Sequence, residues 1–250
     1  MDGVKPRLTS ATPFNSTALV RLLAGLGLAD AAPSPLTLAE RWSPWLAWTD
    51  AIALSAVMGA GPAAAGVAGG ADQATRASAA ADACRRLRHE LSEAITRDPV
   101  LAAAPQRTAR SAPAQPAQSS PAPDMPPMDP ADFSALRRQY QTHQQAMDTR
   151  IGALRGQLRS ALQAGPPALG RLAALDAVLD GALAGRQRQL LAAVPGWLGQ
   201  HFKRRPLTLA AAAAELQRVL LAELDLRLLP LQGLVDALAH SATDAVRAQP

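Results

Sequence analysis

The C-terminal half of the chain has the apolar periodicity of long α-helices. Between residues 133 and 162, apolar side chains recur every three or four positions, which places them on one face of a helix. They are Phe133, Leu136, Tyr140, Met147, Ile151, Leu154, Leu158 and Leu162. A second stripe comprises Leu172, Leu175, Leu179, Leu183, Leu190, Val194 and Trp197. The pattern predicts two long helices, joined where Gly165, Pro166 and Pro167 turn the chain.

A third long helix is expected after the turn at 203–206. Thr208 can cap its start, Pro230 should kink it, and it should end near His240. Because the connections are short, consecutive helices should run antiparallel. Residues 131–250 are therefore predicted to form a long antiparallel three-helix bundle.

Charged residues interrupt two of the predicted apolar stripes. Arg186 stands in the stripe of the second helix, and Glu223 and Arg227 stand in that of the third. If the turn at 203–206 sets an antiparallel register, Arg186 should meet Glu223, and Asp180 should lie near Arg227. Glu223 and Arg227 also have the favourable i to i+4 spacing. These ion pairs would either fix the register or line a surface that receives another helix.

Shorter helices are predicted in residues 1–98. One should span about 16–28, with Asn15 or Ser16 as its cap. Another should run from 72 to 97. Its apolar stripe comprises Cys84, Leu87, Leu91 and Ile95.

Between these two helices, Thr37 and Glu40 have the spacing of a capping box. The helix they begin should run toward Met58, with a kink at Pro44. It contains three tryptophans close together, Trp42, Trp45 and Trp48. Tryptophan dominates many protein interfaces, so one hypothesis is that the cluster anchors a partner. The alternative is that it wedges the short N-terminal helices together.

Residues 99–130 hold nine of the 21 prolines, among Ala, Gln and Ser, and this composition predicts a disordered linker. The chain thus divides into an N-terminal helical module at 1–98, the linker, and the bundle at 131–250. Composition supports an all-α fold, because 57 Ala and 37 Leu greatly outnumber 10 Val and 3 Ile. One cysteine excludes a disulfide framework and a multi-cysteine zinc site.

No recognised catalytic motif occurs, so we expect a non-enzymatic protein with no cofactor and no metal. Asp236, His240 and Asp244 share one helix face and could ligate a metal, although a solvated helix end explains them as well. The longest uncharged run, 51–71, contains five glycines and Pro62, which makes it unsuited to a bilayer. Without a targeting segment, the expected location is cytoplasmic.

The net charge of +5 comes mainly from arginine, which accounts for 23 of the 25 basic residues. Residues 131–210 carry 11 basic and four acidic groups. The cluster contains Arg155, Arg159, Arg186, Arg188, Lys203, Arg204 and Arg205. It could bind nucleic acid or another anionic surface, or it could be the solvated face of the bundle. Aromatic residues for stacking on single strands are scarce within it.

Four segments carry a family resemblance: FNSTALVRLLAGLGLAD, LAERWSPWLAWTDAI, LAALDAVLDGALAGRQRQLLAAVPGWL and LLAELDLRLLPLQGLVDAL. Over roughly residues 14–58 and 133–239 they resemble the proteobacterial domain-of-unknown-function family 3348. The resemblance implies an accessory role in a cell-envelope assembly, beside a large coiled-coil membrane protein and a stator-like peptidoglycan-binding protein. We therefore expect a helical adaptor with a helical or coiled-coil protein partner. The alternative is a nucleic-acid or anionic-surface binder that uses the Arg-rich face of 150–205.

Overall fold

The computed structural model describes residues 17–29, 40, 43–59, 70–102, 130–205 and 207–247. Within these ranges the chain forms seven α-helices and no strand, which confirms the all-α fold class. The helices are α1 (Ala18–Gly25), α2 (Trp48–Gly59), α3 (Gly70–Thr96), α4 (Pro99–Ala102), α5 (Pro130–Gln163), α6 (Pro167–Arg204) and α7 (Leu209–Arg247). A single 3₁₀ turn, Ser43–Trp45, precedes α2.

Helix α7 lies at the centre of the fold. It packs most extensively against α3, then against α5, while α5 also packs along α6. Helices α6 and α7 are consecutive in the chain but make few contacts with each other, since each packs much more extensively against α5. The helices on either side of the predicted linker at 99–130 therefore contribute to one hydrophobic core.

Two of the predicted stripes are confirmed, but in the predicted stripe of α6 only Val194 is buried. Every predicted stripe residue of α3 is buried, and so is every one of α5 except Phe133, which is partly buried. In the C-terminal half of α6, however, the buried residues are Leu191, Val194, Pro195, Leu198, Gly199 and Phe202. Leu190 and Trp197 are exposed, because the face of α6 that packs against α5 is the neighbouring one, which carries Leu191 and Leu198. An error of one residue in the predicted stripe is enough to exchange the buried face of a helix and the exposed face beside it.

Side-chain caps begin α1 and α7. The Oγ1 atom of Thr208 accepts a hydrogen bond from the Ala211 N–H at 3.2 Å, which confirms this predicted cap. Helix α7 continues past His240 to Arg247, with Pro230 inside it. At α1 the cap is Thr17, one residue beyond the two that were expected. Those two, Asn15 and Ser16, lie outside the described residues.

The predicted helix from Thr37 to Met58 is shorter than expected. Pro44 lies in the 3₁₀ turn rather than at a kink within a helix, and α2 begins only at Trp48. The Oδ2 atom of Asp50 accepts a hydrogen bond from the Ala47 N–H at 2.9 Å, which satisfies a free donor at this helix start. Thr37 lies outside the described residues.

The start of the predicted linker is helical. Residues 99–102 form α4, and Leu101 within it is buried in the common core. The described chain resumes at Pro130, the first residue of α5, so residues 103–129 lie outside it. Helical structure therefore includes residues 99–102 and Pro130 of the segment that composition assigned to the linker.

Gly199 allows α5 and α6 to approach closely. A Cβ atom at this position would stand 2.6 Å from Cε1 of Phe133, whose ring also packs edge-on against Phe202. A Cβ atom at Gly181 of the same helix would meet nothing within 4 Å. The absence of a side chain is therefore required at Gly199 but not at Gly181.

This difference predicts opposite effects of the same substitution. Gly181→Ala should stabilise the protein by up to about 1 kcal/mol, because alanine has the higher helix propensity. Gly199→Ala should destabilise it by about 1–2 kcal/mol, since overpacking against Phe133 exceeds that gain. Urea denaturation of the two variants measures both effects, and equal stabilisation by both would contradict the close approach.

Candidate functional site

The largest exposed apolar side chains of the N-terminal region lie on α2 and the turn before it. Trp48 is 81% exposed, Met58 74% and Ile52 55%, and Trp45 is also exposed. No residue of α2 is buried. Trp45 and Trp48 are therefore not buried between the described helices, and Trp42 lies outside the described residues. We call Trp45, Trp48, Ile52 and Met58 the α2 surface.

Helix α2 is held in place by the N-terminal half of α6. Val57 and Met58 line a groove of about 200 Å³ with Arg171, Leu172 and Leu175. The 3₁₀ turn before α2 also contacts α6. Val57 and Met58, near the end of α2, lie beside the first turns of α6. A parallel α2 would therefore place the 3₁₀ turn before Pro167, where there is no α6 to contact, so α2 runs antiparallel to α6. Among the described helices α2 packs against α6 alone, and none of its residues belongs to the common core, so α2 lies on the outer side of α6.

A buried polar network joins α5, α6 and α7 at mid-bundle. Glu223 on α7 has no exposed surface, and its carboxylate accepts hydrogen bonds from Tyr140 Oη (2.8 Å), Gln144 Nε2 (3.0 Å) and Arg227 Nε (2.8 Å). Arg227 also bonds to Asp148 of α5. A buried charge without such partners would cost several kcal/mol (order of magnitude), so the network offsets the desolvation of Glu223.

Gln144 connects this network to α6. Pro195 has no N–H, so the carbonyl of Leu191 lacks its usual partner four residues later in the helix. The Nε2 atom of Gln144 donates to that carbonyl at 2.8 Å while also donating to Glu223. One amide group thereby satisfies a backbone acceptor of α6 and a carboxylate of α7.

The same burial acts on the tyrosine of the network. Desolvation, together with the adjacent negative charge of Glu223 and the hydrogen bond to it, raises the pKa of Tyr140 well above its usual value, with Arg227 opposing the shift. Tyr140 is therefore a neutral hydrogen-bond donor throughout the physiological pH range.

Of the predicted ion pairs, one is confirmed and two are wrong. Glu223 and Arg227 form the expected i to i+4 pair at 2.7 Å. Arg186 is instead exposed and donates to Gln189 at 3.0 Å, and Asp180 pairs with arginines of α5. The register that predicted these two pairs assumed that α6 lies flat against α7. Because both helices pack more extensively against α5 than against each other, Glu223 meets Tyr140 and Gln144 of α5 instead.

Two members of the predicted basic cluster are neutralised inside the fold. Arg155 and Arg159 of α5 each bind both Asp176 and Asp180 of α6, with distances of 2.5–2.7 Å, and all four side chains are at least partly buried. Burial alone would raise the pKa of Asp176, but hydrogen bonds from the two guanidinium groups lower it below its usual value. Arg186, Arg188, Lys203, Arg204 and Arg205 are exposed.

Asp98 fixes α4 to the bundle. Its Oδ1 atom accepts hydrogen bonds from the Val100 and Leu101 N–H groups, and its Oδ2 atom lies 2.8 Å from Nε2 of His143 on α5. Burial alone would raise the pKa of Asp98. Hydrogen bonds from His143, from those two N–H groups and from Gln139 outweigh this effect, so the pKa lies below its usual value. The sequence analysis assigned no role to Asp98 and missed this one.

The structure does not bring a metal site together within the described ranges, where no group of three His, Cys, Asp or Glu side chains could hold an ion. His240 is exposed and its Nδ1 atom lies 2.6 Å from the Asp236 carbonyl oxygen, within an intact helix rather than a frayed end. None of the helices in this part of the chain has an apolar stretch that could span a membrane.

The model of one protein family matches residues 6–215, which is most of the chain. This family is described as protein of unknown function DUF3348. The chain belongs to it. No curated protein and no solved structure matches the chain.

The DUF3348 match differs in extent from the resemblance seen in the sequence. It runs through residues 103–129, which the four similar segments left out, and it stops at 215, before most of α7. The α2 surface, α5 and α6 lie inside the DUF3348 match, whereas Glu223 and Arg227 lie beyond it.

A double-mutant cycle tests the corrected ion pairs. Glu223→Gln should cost about 3 kcal/mol of unfolding free energy, because it breaks a buried charged network. Arg186→Gln should change stability by less than about 0.5 kcal/mol. The two effects should add, whereas Tyr140→Phe should couple to Glu223→Gln by at least about 0.5 kcal/mol. Coupling between positions 186 and 223 in urea denaturation would restore the pair predicted from sequence.

The Asp98 contacts predict a dependence of stability on acid pH. Since the folded pKa is lowered, the charge stabilises the fold above the usual pKa of aspartate, and this stabilisation is lost as pH falls below it. Asp98→Asn keeps the helix cap but should lower stability at neutral pH by about 1–2 kcal/mol. Its unfolding free energy should also fall less than wild type between about pH 5 and 2.

Asp244→Asn is the matched control, because Asp244 is exposed. Hydrogen exchange should quicken at residues 99–102 in Asp98→Asn only. Identical pH profiles for wild type and Asp98→Asn would argue against the buried contact.

Proposed function

We propose that this protein is a non-enzymatic helical adaptor that binds another helical protein through the α2 surface. The observation that carries the proposal is the exposure of Trp48, Ile52 and Met58 on one short helix. Isolated exposed apolar residues are ordinary, but several large ones together on one element mark interaction sites. Tryptophan is also among the residues that contribute most to interface energy.

The rest of the fold suits a rigid support for this surface. Helix α2 rests on α6, which is tied to α5 by the four-membered ion-pair network of Arg155, Arg159, Asp176 and Asp180. A binding helix that is already seated on a rigid support loses little conformational entropy when a partner docks. The family resemblance suggests the finer proposal that this partner belongs to a cell-envelope assembly with coiled-coil and stator-like members.

The alternative is a nucleic-acid or anionic-surface binder. Its support is weaker, because Arg155 and Arg159 already have carboxylate partners and contribute little free positive charge. Arg188 and the basic end of α6 remain exposed, so the experiment below includes this outcome. Binding by counterion release would weaken steeply with salt, whereas an apolar docking surface would be much less sensitive.

The test is affinity capture of the full chain from native lysate, at low and high salt and after nuclease treatment. A protein partner should co-purify in stoichiometric amount and survive both salt and nuclease. The triple variant Trp48→Ser, Ile52→Ser, Met58→Ser should lose it. Its unfolding free energy should fall by less than about 1 kcal/mol, because the three side chains are mostly exposed and only Met58 borders α6.

The matched control replaces exposed apolar residues elsewhere, as Val100→Ser with Leu229→Ser. This double variant should retain the partner. Two results would overturn the proposal: a partner that the triple variant binds as well as wild type, or recovery only of nucleic acid that salt removes.

A further inference from the structure

The outer side of α6 continues beyond the place where α2 rests. Arg186, Leu190, Trp197 and Arg204 follow one another at spacings of four, seven and seven residues, so they lie on one helix face. Leu190 and Trp197 are each 38% exposed, and both arginines are exposed. We call these four residues the distal face.

The distal face is a continuation of the stripe on which α2 packs. Leu172, Leu175, Leu179 and Leu183 precede it at the same helical spacing and are only half-buried. At the start of this stripe, α2 lies across Leu172 and Leu175. Because α2 is antiparallel to α6, its first residues lie near residue 185, just before the distal face begins. The occupied half of the stripe thus shows which kind of element fits it: an apolar helix.

Among the described residues, no further helix covers the distal face in the way that α2 covers Leu172 and Leu175. The other described neighbours of α6 are α5, α7 and the short 3₁₀ turn before α2. The large apolar side chains that α6 buries in this half, Leu191, Val194, Leu198 and Phe202, lie on a different face. A stripe whose first half carries a helix and whose second half is open has the form of a helix-docking groove.

The charges of the distal face indicate which charge its partner should carry. Helix α6 contains two acidic residues, Asp176 and Asp180, and both are bound to arginines of α5. Neither Arg186 nor Arg204 forms an ion pair with any described carboxylate. Arg186 donates a hydrogen bond to the neutral side chain of Gln189 instead. The two arginines are 18 positions apart. They therefore stand about 27 Å from each other along the helix axis.

We infer that the distal face binds an amphipathic partner helix of about 18 residues with acidic residues near both ends of its apolar face. The apolar face would cover Leu190 and Trp197, and the terminal carboxylates would pair with Arg186 and Arg204. This inference rests on the proposed adaptor function and specifies the partner's chemistry. An anionic membrane is the competing occupant.

The probes are two designed helical peptides of that length with the same leucine face. One carries glutamate near both ends and the other carries lysine at the same positions. Fluorescence anisotropy with the full-length protein should show that the acidic peptide binds at least about ten-fold more tightly than the basic one. The double variant Arg186→Glu, Arg204→Glu should reverse this preference, and Leu190→Ser with Trp197→Ser should abolish binding of both peptides.

Arg137→Glu with Arg138→Glu is the matched control, because it makes the same charge change at exposed positions of α5. This variant should bind the acidic peptide as wild type does. Equal binding of both peptides, no binding of either, or no effect of the distal-face variants would overturn the inference. Binding to phosphatidylglycerol vesicles but to neither peptide would assign the face to a membrane instead.

The outcomes also separate this inference from the proposed function. If the α2 triple variant loses a native partner while neither peptide binds, the adaptor proposal stands and the inference about the distal face fails. If the acidic peptide binds as expected but the triple variant keeps its partner, the distal face, and not the α2 surface, carries the interaction.

Discussion

The enclosure of α7 is the constraint on which the rest of the structure depends. This helix lies between α3 and α5, so its charged residue Glu223 has no access to water. An ionised carboxylate in such a place is tolerated only with a full set of donors, which α5 provides through Tyr140 and Gln144 and α7 itself through Arg227. Because Gln144 also binds the carbonyl freed by Pro195, the same requirement fixes the position of α6.

The internal pairing of charges shapes the outer surface. The two acidic residues of α6 are bound to arginines of α5, so the exposed charges along α6 are basic. Its outer side combines these arginines with an apolar stripe that α2 covers only in part. A rigid interior and an outward-facing apolar surface thus arise from one arrangement of helices, and together they suit a protein that binds another helix.

The periodicity predicted the individual helices well, because the burial of one face depends mainly on local spacing. Leu87, Leu158 and their stripe neighbours are buried as expected. The neighbour of each helix is a tertiary property, and the short connection between α6 and α7 suggested the wrong one. That error placed Arg186 in an ion pair with Glu223. The spacing along α6 separately placed Trp197 on the buried face, while Gln144 and Asp98 received no role. Their signals are weak in a sequence: a glutamine facing a distant proline, and an aspartate that begins a four-residue helix.

The most direct test of this arrangement asks whether the parts before and after residues 103–129 hold together without a covalent link. A specific protease site placed in that segment allows the folded protein to be cut there, and size-exclusion chromatography then reports whether the fragments separate. Because α3 and α7 share one core, the account predicts that both fragments elute together as one species with the helical content of the intact chain. Separation into two folded fragments under native conditions would contradict it.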